Sequence, residues 1–148
     1  MAFPASPIKC RCLVFGVLCL FLGLAIGCSG QATLYPVTGH VTLNGKAMSG
    51  GYVTFKPDKA KGNNFGGEPT AEIDANGDYT LATNGKPGAP AGSYKVVVGA
   101  PPGDVTDPAK ARPKILINAK YLDAAKTPLE KEVVATPQSG AYDLDVKP

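Results

Sequence analysis

The chain has 148 residues, 15 basic and 12 acidic side chains and a formal net charge of +3, without the clustered Lys and Arg that electrostatic binding to nucleic acid requires. Its four cysteines, Cys10, Cys12, Cys19 and Cys28, all fall within the first 28 residues, so the part that folds after them has no disulfide and no thiolate chemistry. Eighteen Gly and 14 Pro raise the question of disorder, and recurrent alternation of Val, Ile and Tyr answers it in favour of a folded all-β domain.

Lys9 and Arg11 are the only charges before Lys46, and residues 12–26 are almost entirely apolar. A basic start, an apolar run and then small residues form a secretory signal peptide, expected over 1–27 and removed from the mature protein. The alternative is an uncleaved membrane anchor. The 17 residues from Cys12 to Cys28 would make a helix of about 26 Å, short for a bilayer core about 30 Å thick. Without Lys9 and Arg11, 13 basic side chains face 12 acidic ones, so the mature part is close to neutral.

Leu24-Ala25-Ile26-Gly27-Cys28 resembles a bacterial lipobox, with Ala25 where leucine is preferred. Gly27 opens the backbone to the peptidase, and Cys28 offers the sulfur that takes a diacylglyceryl group. The resemblance implies that Cys28 becomes an acylated N-terminus, held in a membrane by two or more acyl chains where one would be marginal. Ser29 in place of aspartate directs such proteins to the outer membrane under the enterobacterial sorting rule. Residues 28–34 are then a lipidated tether ahead of a domain at 35–148.

In Val37-Thr38-Gly39-His40-Val41-Thr42-Leu43, Val37, Val41 and Leu43 share one face, while Thr38, His40 and Thr42 share the other, as a half-buried strand requires. Asn44-Gly45 is a hairpin turn. A second strand follows at 51–56 with Val53 and Phe55 inward, and Pro57 ends it. Residues 57–67 read as a loop. A third strand near 70–73 leads through Asp74-Ala75-Asn76-Gly77-Asp78 to Tyr79-Thr80-Leu81 as the returning strand. Residues 84–92 read as a loop, and 93–98 as a strand with Tyr94, Val96 and Val98 on one face. Prolines at 101, 102 and 108 mark a long surface excursion. Residues 115–117 fit a short strand and 119–126 a helical turn, while 130–135 and 141–146 are the last two strands.

The order Pro36-Val37-Thr38-Gly39-His40-Val41, Asn44-Gly45-Lys46, Gly51-Tyr52-Val53-Thr54-Phe55, Asp74-Ala75-Asn76-Gly77-Asp78-Tyr79-Thr80-Leu81 and Gly92-Ser93-Tyr94-Lys95-Val96 resembles a carboxypeptidase regulatory-like domain, also described as transthyretin-like or prealbumin-like. Ala119-Lys120-Tyr121-Leu122-Asp123 through Thr127-Pro128-Leu129 is similar to the tail of short bacterial lipoproteins built on that domain. The resemblance covers most of residues 35–146. It implies a seven-stranded Greek-key β-sandwich, Ig-like in architecture, with no catalysis of its own and no cofactor. Fold alone names no ligand.

Three further features carry candidate chemistry. Asp74, Asn76 and Asp78 are candidate calcium ligands, but the sixth and twelfth positions of an EF-hand loop would be Tyr79 and Gly85, so a tight turn is the expectation. His40, the single histidine, falls on the polar face and is expected to face solvent rather than to catalyse. Tyr79, Tyr94 and Tyr142 fall at inward positions, whereas Tyr52 points outward and is the candidate ligand contact. Tyr121 is expected to pin the C-terminal excursion. The expectation is a non-enzymatic, membrane-anchored envelope protein of structural or adhesive role. Its rivals are a module recognising glycan or protein through loops 57–67 and 99–114, and a metal-dependent or hydrolytic enzyme. Val/Thr-rich sheet edges also admit self-association.

Overall fold

The computed structural model describes residues 32–100 and 117–148. The leader, the lipobox residues Leu24, Ala25, Ile26, Gly27 and Cys28, the excursion at 101–116 and, apart from Ile117, the expected short strand at 115–117 lie outside the described residues.

The fold is all-β. The chain forms β1 (Leu34–Tyr35), β2 (Thr38–Leu43), β3 (Lys46–Ala47), β4 (Tyr52–Pro57), β5 (Thr70–Glu72), β6 (Asp78–Thr80), β7 (Ala82–Thr83), β8 (Lys86–Pro87), β9 (Ala89–Pro90), β10 (Gly92–Gly99), β11 (Glu130–Val133) and β12 (Leu144–Val146). One sheet has the order β11-β10-β4-β5-β7-β8. A second has β12-β2-β3, with β6 also on β2, and β1 pairs with β9. Leu34, the last residue of the span expected as a tether, already pairs with Pro90.

The β2–β3 turn follows the sequence closely. Asn44 and Gly45 take φ of 54° and 78°, and Leu43 pairs with Lys46 across them, as a two-residue hairpin of this chemistry requires. The return strand stops at Ala47, however. Met48 sends its N–H to the Val41 carbonyl, and the chain then crosses to the other sheet, where β4 pairs with β5 and β10.

The segment Asp74–Asp78 makes a similar crossing. Tyr79-Thr80 does not return along β5 but pairs with β2, Gly39 opposite Tyr79 and His40 opposite Asp78. Alternating apolar positions supply the strands but not the sheet each one joins. Residues 84–92, expected as a loop, hold β8 and β9. Asn84 and Gly85 turn with positive φ, and β1 recruits Ala89–Pro90 as a partner. The last two strands are shorter than expected, since the chain turns at 135–142. Two 3-10 turns among the described residues, Lys59–Lys61 and Ala119–Leu122, are each capped by the side chain of the preceding residue, Asp58 and Asn118.

Val41, Tyr79, Leu144 and Val146 from one sheet, with Val37 just before β2, and Val53, Phe55, Tyr94, Val96, Val98 and Val133 from the other form one buried cluster. Phe55 and Tyr94 meet as tilted rings with centroids 5.7 Å apart, a contact worth about 1 kcal/mol beyond its area. The three tyrosines expected in the core are there, each with its hydroxyl partnered. Tyr79 donates to the Tyr142 carbonyl and Tyr94 to the Pro90 carbonyl, while the Tyr142 oxygen accepts from the Val134 N–H. Tyr121 is also buried in this cluster.

β10 fixes a long axis. At Gly92 it lies beside the 58–63 segment, where Asp58 N–H and Asn63 Nδ2 both reach the Ser93 carbonyl at 3.0 and 2.9 Å. At Gly99 it lies opposite Tyr52, which in turn faces Glu72. The eight residues between these poles span about 23 Å at strand rise.

Candidate functional site

Thr38, His40 and Thr42 share the outward face of β2, and residues directly opposite in an antiparallel pair share a face. Register therefore sets Asp78 beside His40 and Thr80 beside Thr38. The His40 Nδ1 lies 2.8 Å from Asp78 Oδ1. Asp143, just before β12, accepts the His40 main-chain N–H at 2.9 Å, and Asp145 accepts the Thr42 hydroxyl at 2.9 Å.

His40 is thus not simply solvent-facing, as the alternation suggested. Its contact with Asp78 joins side chains 37 % and 63 % exposed, which limits it to less than about 1 kcal/mol of stability. Its geometry holds the ring in place, with the acid at Nδ1.

Thr38, His40, Asp78, Thr80 and Asp143 line an open groove of ≈ 610 Å³ with Gly39, Tyr79, Ser139 and Gly140. Two carboxylates, one imidazole and the hydroxyls of Thr38, Thr80 and Ser139 suit a hydroxyl-bearing ligand, which needs donors and acceptors in alternation. Gly39 is required by the packing. A Cβ there would lie 2.5 Å from the Tyr142 carbonyl oxygen and 2.9 Å from the Tyr79 ring. Burial, with a further push from Asp143, raises the Tyr79 hydroxyl far above its ordinary range, so it remains a protonated donor.

The calcium candidates Asp74, Asn76 and Asp78 lie in one turn whose polar groups are engaged locally. Asp74 Oδ1 accepts the N–H groups of Asn76 and Asp78 at 2.8 and 2.9 Å, and Asp78 turns to His40. The segment is the tight turn expected from Asx chemistry. Among the described residues no three His, Cys, Asp or Glu side chains converge as a metal site.

Tyr52 is exposed as expected, at 40 %, but belongs to the other sheet and not to the groove. Its ring lies over Gly99, where an added Cβ would fall 2.0 Å from the ring carbon Cζ. One face of the ring is thereby spent on covering the glycine opposite.

Loop 57–67 is held more firmly than a loop reading implies. Asp58 and Asn63 are buried, and Lys61 pairs with Glu130, which also binds Lys95. These two lysine hydrogen bonds, Lys61 first, draw the Glu130 carboxyl down to about 2. A second groove, ≈ 490 Å³, lies here and is lined by Ala32, Lys61, Gly62, Asn63, Asn64, Phe65, Pro90, Ala91, Gly92, Ser93 and Glu132.

Asp143 and Ser139 were not anticipated as groove residues. Alternation around Leu144 does mark Asp143 and Asp145 as outward, but nothing local says that β12 lies beside β2. No family model, no curated protein and no solved structure matches the chain. Among the described residues no helix is long and apolar enough to cross a membrane.

Proposed function

We propose that the protein is a non-enzymatic lipoprotein of the bacterial cell envelope. In this reading Cys28 carries the acyl chains, and a carboxypeptidase regulatory-like, seven-stranded Greek-key sandwich has a structural or adhesive role. The observation that carries the reading is the position of Cys28. It ends an apolar run in Leu24-Ala25-Ile26-Gly27-Cys28, six residues before the first strand. A cysteine at that junction, ahead of a thiol-free β domain, suits an anchor and gives the fold nothing else. The single core shared by two sheets supports the sandwich, and it holds without any cross-link.

Intact-mass measurement of the natively produced protein tests this directly. The expected mass begins at Cys28 and includes a diacylglyceryl group. A retained leader, or a Cys28→Ala protein that is processed and still sediments with membranes, overturns it.

A second reading, recognition of an envelope glycan, draws on the His40 groove, whose carboxylates and hydroxyls match sugar hydroxyls in kind. A glycan array on the soluble domain distinguishes it, with His40→Ala abolishing any signal that belongs to the groove.

A further inference from the structure

Ala32, four residues after Cys28, lines the groove beside Lys61 and Phe65. Fully extended, four residues reach about 14 Å, and the headgroup layer on each side of a bilayer takes up about 6 Å of that. A lipidated Cys28 therefore keeps the surface around Ala32 against the membrane. We propose that this pole of the domain is a bilayer-docking surface, seated on a zwitterionic phospholipid headgroup layer. The inference rests on the lipid-anchor reading and specifies which face of the domain the anchor brings down.

The residues around Ala32 fit such a contact. Lys61, Phe65, Ser93 and Glu132 share its groove. Phe65 is half-buried, and Lys59 and Lys61 stand exposed on the Lys59–Lys61 turn. Long aliphatic stems with charged tips and a partly open ring are the side chains that tolerate a headgroup boundary.

The surface is also preformed. Asp58 Oδ1 accepts the Ala60 N–H at 3.1 Å, and Asn63 Oδ1 accepts the Phe65 N–H at 3.1 Å. Charge selects the lipid class. Lys59, Lys61 and Lys95 are matched in number by Asp58, Glu130 and Glu132 around the same turn, so no basic excess calls for anionic lipid. Tyr52 and Glu72 mark the opposite pole of the β10 axis.

The thiol-free domain makes the test clean, because a single introduced cysteine is the only labelling site once Cys28 is alkylated. Natively acylated Lys59→Cys, Phe65→Cys and Glu72→Cys proteins carry a fluorescent probe and are reconstituted into phosphatidylcholine vesicles. The vesicles contain a headgroup-nitroxide quencher. Quenching several-fold stronger at 59 and 65 than at 72, unchanged in high salt, is expected. Equal quenching at 59 and 72, or stronger quenching at 72, on protein that is acylated and vesicle-bound overturns the docking surface and leaves the anchor intact. Quenching at 59 that appears only with anionic lipid, or vanishes in salt, overturns the zwitterionic assignment. Protein without acyl mass that fails to bind vesicles overturns the anchor and this inference with it.

Discussion

The hydroxyl of Tyr79 donates a 2.6 Å hydrogen bond to the main-chain carbonyl of Tyr142, 63 residues away. It joins β6 to the segment that leads into β12, beneath the groove around His40. Replacing Tyr79 with Phe leaves that buried carbonyl without its donor and is expected to cost about 1–3 kcal/mol. Urea unfolding of the soluble domain measures it, and an unchanged midpoint would remove the bond from any account of stability.

Gly39 lies in the same contact. Gly39→Ala forces a methyl to within 2.5 Å of the Tyr142 carbonyl oxygen, and the strand or the crossing segment must move. A loss of about 1–3 kcal/mol is expected. The protection of the His40 amide, which the Asp143 carboxylate accepts, should fall with it in hydrogen exchange.

Acid should weaken the Lys61–Glu130–Lys95 cluster. Glu130 has a depressed carboxyl, at about 2 against an ordinary 4.5, so its contribution is complete above 4.5. It is lost as pH falls from there towards 2, because the unfolded chain takes up the proton first. The effect is small, since the cluster is open to solvent and screened by salt. Thermal melting from pH 5 to pH 2 should show a shallower acid slope in Glu130→Gln than in the parent. Equal slopes would discount the cluster.

The edge strand β11 carries a guard against pairing with another copy. Lys131 sits opposite core-facing Tyr94, so it occupies the inner face, and its ammonium reaches the Ala141 carbonyl at 2.8 Å. Burial pulls its pKa down while Asp143 pushes the other way. An inward-pointing lysine is a common device for protecting an exposed edge. Lys131→Val should therefore raise self-association, visible as a faster-sedimenting species at high concentration. A variant as monomeric as the parent would assign that protection elsewhere.

Much of the local structure was legible because side-chain period and turn chemistry are written in single segments. Val37, Val41, Val53, Phe55, Tyr94, Val96 and Val98 all read as inward and are buried, and Asn44-Gly45 read as a turn and is one. Sheet membership was not legible. Asp74–Asp78 has the composition of a hairpin turn, but it links strands in different sheets, because β5 finds β4 and β6 finds β2.

The groove shared that limit. His40 and Asp78 were each singled out for separate reasons, yet their 2.8 Å contact depends on a register between strands that no local pattern encodes. Tyr52 was read correctly as outward, but the use of its ring to cover Gly99 follows from cross-strand geometry alone.

The parallel pairing of β12 with β2 has a consequence for how the chain acquires its shape. Leu144–Val146 is made about a hundred residues after β2, so one edge of β2 waits that long for its partner. A contact of that sequence separation closes slowly, so β2 completes its pairing after the local hairpin at Asn44-Gly45 has formed.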